Sequence, residues 1–190
     1  MWIPLVKEVA KSFSNNVGEK PIDWLVVGSV ASLLQGCDFQ PNDLDIIFPD
    51  YASLLAGIGR LEQAGLFSKQ DEIHTESFGG GFCWHISRSK VKEAKLDLVF
   101  IESGGDIADN VSGDGIWEGG KIIWNRYNII EMAGYKIPVA PLLIQFESQV
   151  RRGQLDRAEA IMRVLKRHGY NVKEFAESLS NKSKTTWQEW

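Results

Sequence analysis

The stretch over residues 24–48, WLVVGSVASLLQGCDFQPNDLDIIF, constrains this 190-residue chain more than any other. An apolar run, Leu25 to Val27, stops on Gly28-Ser29. An amphipathic segment over 30–34 follows, and a turn over 35–42 leads to a second apolar run that carries Asp43 and Asp45. Residues two apart on a β-strand share a face. The two carboxylates therefore stand side by side, with Leu44, Ile46 and Phe48 turned into a core. Adjacent carboxylates repel each other and are costly to desolvate. The usual compensation is a hard divalent cation that takes oxygen ligands and shares them with substrate phosphates.

A third acidic residue sits in a similar setting. In Lys95-Leu96-Asp97-Leu98-Val99-Phe100-Ile101, Leu96, Leu98 and Phe100 share one face and Asp97 lies on the other. Taken singly, each of these residues has a plain structural role: Ser29 as a helix N-cap, Asp43 as a turn residue beside Asn42, Asp97 as a charge guarding an edge strand. Together, the strand ending in Gly-Ser, the helix, Asp-x-Asp and the later Asp97 resemble the signature of the DNA polymerase beta-like nucleotidyltransferase superfamily. The resemblance is strong over about 22–101. It continues more weakly over 137–165, which looks like the tail of small enzymes similar to the lincosamide and aminoglycoside nucleotidyltransferases. Those commonly carry a Lys-Asp pair where this chain has Leu155-Asp156, so Arg151, Arg152 or Arg157 would have to supply the triphosphate contact.

The resemblance implies a transferase that moves NMP from an NTP, ATP among the donors, to a hydroxyl acceptor and releases pyrophosphate. Asp43 and Asp45 would bridge two Mg2+ ions, with Mn2+ as a substitute. Asp97 would complete the metal set and take the acceptor proton. Gly28, Ser29, Arg151 and Arg152 would bind the nucleotide. A small hydroxylated acceptor is favoured; RNA or protein acceptors, including toxin or antitoxin chemistry, stand as alternatives. So does a non-catalytic nucleotide- or partner-binding module on the same fold.

The remaining features set bounds. The length suits one domain with a helical appendage, here an α+β core over 1–138, C-terminal helices over 139–180 and a tail over 181–190. Cys37 and Cys83 have no zinc-ligand spacing, which fits reduced thiols in a cytoplasm, although one disulfide is not excluded. MWIPLVKEVAKSF is too short and polar for a signal peptide or a membrane span. Charge is uneven: residues 1–150 carry −8 and residues 151–190 carry +4. The basic segment either attracts phosphate or RNA or is an ordinary solvated helical face. An oligomer is compatible with all of this and argued by none of it.

Periodicity and breakers predict helices over 3–16, 29–36, 51–65, 140–151, 154–168 and 171–179. They predict strands over 23–28, 43–48, 67–75, 81–88, 94–101, 121–125 and 127–132. The result is a small mixed sheet flanked by helices, with a C-terminal helical hairpin and a frayed end. Gly79-Gly80-Gly81 reads as a hairpin marker and not a phosphate loop. Asp106, Asp109 and Asp114 lack calcium-loop spacing. His85 is expected to be structurally satisfied. Trp117, in a Gly/Asp-rich loop, either stacks on a ligand ring or docks the loop.

Overall fold

A computed structural model of the protein describes residues 1–14, 21–68, 72–78, 82–103 and 115–189. One seven-stranded mixed sheet organises them. Its strands are β1 (Leu25–Val27), β2 (Asp43–Phe48), β3 (Ile73–Phe78), β4 (Phe82–Val91), β5 (Ala94–Ser103), β6 (Asn128–Met132) and β7 (Tyr135–Val139). Their order is β3-β4-β5-β2-β1-β7-β6. β2 runs parallel to β5, with Asp45 opposite Asp97, and antiparallel to β1. The expected α+β class and mixed sheet are thus present.

Strand alternation divides the core between the two faces of the sheet. Val26, Leu44, Ile46, Phe48, Leu96 and Leu98 point to one side. Against them packs α1 (Trp2–Ser14), whose buried residues Trp2, Leu5, Val6, Val9, Ala10 and Phe13 recur at helical spacing. α3 (Tyr51–Gln63) lies beside it, started by Asp50, which accepts the Ser53 N–H at 2.7 Å. Gly57 gives α3 its close seat, since a Cβ there would stand 2.6 Å from the Phe48 ring. The other face carries Leu25, Val27, Ile47 and Val99 under Ile123, Ala140 and Ile144. A third cluster joins Cys37 to α4 (Leu142–Arg151), α5 (Leu155–His168) and α6 (Val172–Ser178) through Phe146, Ile161, Leu165 and Phe175. Cys37 and Cys83 are free thiols. Among the described residues no helix is long and apolar enough to cross a membrane.

Four elements differ from the expectation. Residues 121–125 form a 3-10 turn, not a strand. Three consecutive side chains, Ile122, Ile123 and Trp124, all meet one apolar cluster, which the strict alternation of a strand does not allow. β7 occupies residues expected to lead straight into a helix. Pro138 argues against a strand in the sequence, yet it faces Ile129 of β6 in a short ladder, and Val139 pairs with Val26 of β1. β3 begins six residues later than expected. The end of the chain is not frayed over its described length: α7 spans Asn181–Gln188.

Helix α7 forms because Ser180 caps it, accepting the Ser183 N–H at 3.2 Å. It stays because Trp187 meets the Phe175 ring edge-on at 5.3 Å and donates its indole N–H to Tyr170. Trp187→Ala is expected to destabilise the protein by roughly 2 kcal/mol, the scale for a half-buried large apolar side chain. Urea denaturation measures it, and an unchanged midpoint would mean that α7 contributes nothing. Gly79–Gly81 and residues 104–114, with Asp106, Asp109 and Asp114, lie outside the described residues; β3 and β4 on either side of the glycines pair antiparallel, Phe78 opposite Phe82.

Candidate active site

β1 ends at Val27, and α2 (Gly28–Leu34) begins without a side-chain cap; Ser29 is its second residue and not its N-cap. Gly28 has φ +66°, the left-handed region that glycine enters without strain. A Cβ at this position would lie 2.5 Å from Asp45 Oδ2. The turn therefore needs glycine for two separate reasons, its backbone angle and the carboxylate pressed against it.

Gly28, Ser29, Asp43, Asp45 and Arg152 line one cavity of about 270 Å³. Asp43 and Asp45 reach it from the same face of β2, as alternation requires. Ile47, Val99, Ile101, Trp84 and Trp117 line it too. So do Gln154 and Arg157, the latter with its guanidinium 5.4 Å from the Phe39 ring centre.

Asp97 and Arg151 are placed differently. Asp97 is next to Asp45 in register, but it does not line the cavity. Its carboxylate accepts the Arg88 Nε–H at 3.3 Å, and Arg88 also holds Glu76 at 3.2 Å. Burial pushes the Asp97 pKa up while Arg88 pulls it down, and the upward push wins. Arg151 lies away from the cavity lining, ion-paired to the fully buried Glu147. Asp156 is exposed at the start of α5 and is absent from the lining.

Glu118 is the site residue that the sequence concealed. It is 3 % exposed and gathers three donors. Oε2 accepts the Gly28 N–H at 3.1 Å and the Gln145 side-chain amide, and Oε1 accepts from Arg152 at 3.0 Å. A buried carboxylate is tolerable only when satisfied in this way. It joins the Gly-Ser turn to α4 and to the first residue after α4. Arg152 remains half exposed and also faces the cavity.

The electrostatics suit a cation. Burial, followed by the charges of Asp43, Glu118 and Asp97, pushes the Asp45 pKa up to about 8, with Arg152 opposing. Among the described residues, however, no three His, Cys, Asp or Glu side chains converge closely enough to form a metal cage. Asp43 and Asp45 are the carboxylates that could hold a hard divalent cation, which can take one or two carboxylates and complete its shell with phosphate oxygens and water. Because Asp45 must lose a proton to become a ligand, Mg2+ affinity is expected to rise about tenfold per pH unit from pH 6 towards 8 and then level off. Calorimetry in buffers of different ionisation heat would show one proton released near pH 7; none released would place Asp45 outside the metal shell.

His85 is satisfied, as expected. Its ring nitrogens lie 3.1 Å from Thr75 Oγ1 and from Glu102 Oε2, and it stacks on Phe100 at 5.6 Å.

No protein-family model matches the chain, and no curated protein matches it. Among solved structures it is similar to TM1012 from Thermotoga maritima, a presumed nucleotidyltransferase, at 18 % identity and a TM-score of 0.59. That match covers 87 % of this chain and 93 % of the other. JHP933 from Helicobacter pylori is similar at 14 % identity with a TM-score of 0.36, covering 77 % of this chain. A presumed nucleotidyltransferase from H. pylori stands at 15 % and 0.37, covering 78 %. The chain spans 53 % and 56 % of those two longer proteins. The likeness to TM1012 gives the class: this is the nucleotidyltransferase fold.

Proposed function

We propose that the protein is a Mg2+-dependent nucleotidyltransferase that moves NMP from an NTP to a hydroxyl acceptor and releases pyrophosphate. The observation that carries this is the meeting of Asp43 and Asp45 with Gly28, Ser29 and Arg152 around one cavity. Asp43 and Asp45 would hold Mg2+ or Mn2+, which when bound offsets negative charge on the phosphates. Gly28, without a Cβ, lets the Asp45 carboxylate sit against the turn at the cavity wall. Arg152 faces the same space and offers charge-assisted hydrogen bonds, its guanidinium held in place by Glu118. Asp97, held by Arg88, is the group assigned to take the proton from the acceptor hydroxyl. A small hydroxylated acceptor is preferred to RNA, because positive charge is in excess only over the last forty residues.

Incubation with each α-32P-labelled NTP, Mg2+ and cell extract fractionated into small molecules, RNA and protein tests the proposal. Label should pass to one fraction and be lost with Asp43→Asn and Asp97→Asn. One observation favours a second reading, a nucleotide-binding module without turnover: the Asp97 carboxylate is engaged by Arg88, outside the cavity lining. Mg2+-dependent NTP binding with no transfer to any fraction would decide for the module.

A further inference from the structure

Alternation along β2 and β5 grades the cavity wall from charged to apolar. On β2 the series facing the cavity is Asp43, Asp45, Ile47. On β5 the same side of the strand carries Asp97, which stands outside the lining, and then Val99 and Ile101, which line it; Asp97 is beside Asp45 and Val99 beside Ile47. β4 continues it, since Trp84 is opposite Ile101 and Arg88 opposite Asp97. Trp84 and Ile101 therefore lie four residues along their strands from the level of Asp45, about 13 Å at the usual rise of a strand.

Trp117 completes the far end. Its ring is tilted 35° to that of Trp84, with centroids 5.8 Å apart, too close for a third ring to enter between them. The two rings touch, and both residues line the cavity. The loop bearing Trp117 is seated on both sides. The Ile116 N–H donates to Ser178 O at 2.8 Å, and Glu118 holds Gly28 and Arg152. At Gly119 a Cβ would meet Ile101 at 2.6 Å and the Trp117 ring at 2.7 Å. The wall is thus fixed in position relative to the carboxylates.

We propose that Trp84 and Trp117 form the base-binding end of the cavity, with the ring of the donor nucleotide stacked on their outer face. This rests on the proposed function and adds where the base sits and how it is held. The described residues at this end (Ile47, Val99, Ile101 and the two tryptophans) offer no carboxylate or carboxamide side chain to read a base edge. Stacking on such a surface accepts any base, because every base has a π-face.

The experiment measures Mg2+-supported binding of ATP and of inorganic tripolyphosphate by calorimetry, with tryptophan fluorescence as a second readout. In the wild-type protein ATP should quench fluorescence and tripolyphosphate should not. Trp117→Ala should weaken ATP about tenfold or more, the range for losing one base–aromatic stack, and leave tripolyphosphate within twofold. Trp117→Phe, which keeps a ring, should recover most of the ATP affinity and lose the Trp117 share of the quenching, leaving that of Trp84. If ATP and tripolyphosphate bind equally to wild type, or fall together in Trp117→Ala, the base-binding assignment is overturned while the phosphate end stands. If neither binds to wild type, the proposed function falls and the inference with it. Should Trp117→Ala fail to fold, the wild-type quenching comparison and Trp117→Phe decide alone.

Discussion

Asp45→Asn is expected to abolish transfer, by a factor of about 10³ or more, and to make the metal-free protein more stable at pH 8. The first effect follows from the proposed function, in which Asp45 is a metal ligand at a charge-stabilising site, where a single donor is worth two to three orders of magnitude. The second follows from the environment of the carboxyl group. In the unfolded chain it ionises near 3.8, and in the folded protein near 8, because it is buried and faces Asp43, Glu118 and Asp97. Below pH 4 it is protonated in both states. As pH rises from 4 to 8, the unfolded chain gives up the proton while the folded one retains it, and stability declines across that window. Above about 8 both states are ionised and the loss is complete. The asparagine variant has no such slope. Because Asp45 opens partly onto the cavity, water screens the charge, and the gain at pH 8 is expected to be roughly 2 kcal/mol rather than the full linkage value. Chemical denaturation at pH 5 and pH 8 without metal measures it. Parallel pH dependence of wild type and variant would show that Asp45 ionises normally.

Gly28→Ala is expected to damage both folding and catalysis. The alanine would have to hold φ near +66°, at about 1–2 kcal/mol. Its Cβ would also displace Asp45 Oδ2, which lies 2.5 Å from that position. Either the carboxylate swings away or the turn shifts and pulls the Gly28 N–H off Glu118. A displacement near 1 Å at reacting groups costs about a hundredfold in rate, and that is the expected fall in kcat/KM. A double-mutant cycle separates the two causes. With Asp45→Ala in the background the steric part vanishes, so the remaining destabilisation should drop to the backbone value. If Gly28→Ala is equally harmful in both backgrounds, contact with Asp45 is not the reason for glycine.

Both substitutions fall where the sequence was most informative, and the reason is local. Alternation on β2 and β5, a Gly-Ser stop and an apolar run interrupted by one acid are visible within a few residues of each other. The faces they imply are those found. Glu118 is the opposite case. Its partners Gly28, Arg152 and Gln145 lie 90, 34 and 27 residues away, and its neighbours Gly119 and Gly120 look like loop. The polar interior that receives it, with Gln145, Glu147, Ser148 and Gln149 buried on α4, is likewise seen only in the structure. Arg88 was hidden similarly, because its hold on Asp97 depends on the register of β4 against β5. Helix α7 escaped notice because its stability comes from the ring contacts of Trp187 with residues of other elements, not from its own periodicity.

The buried Glu147 has a bearing on how the protein is made. It accepts the Ser180 N–H at 2.9 Å and pairs with Arg151, and a Cβ on Gly115 would strike both Ser180 N and this ion pair. The segment carrying Trp117 and Glu118 thus rests on residues synthesised long after it. Gly28, Gln145 and Arg152, which hold Glu118, all precede Ser178 and Ser180 in the chain, so the contacts of Ile116 with Ser178 and of Glu147 with Ser180 are the last that this region can make during synthesis. The segment that closes the cavity is thus tied to both the early and the late parts of the chain.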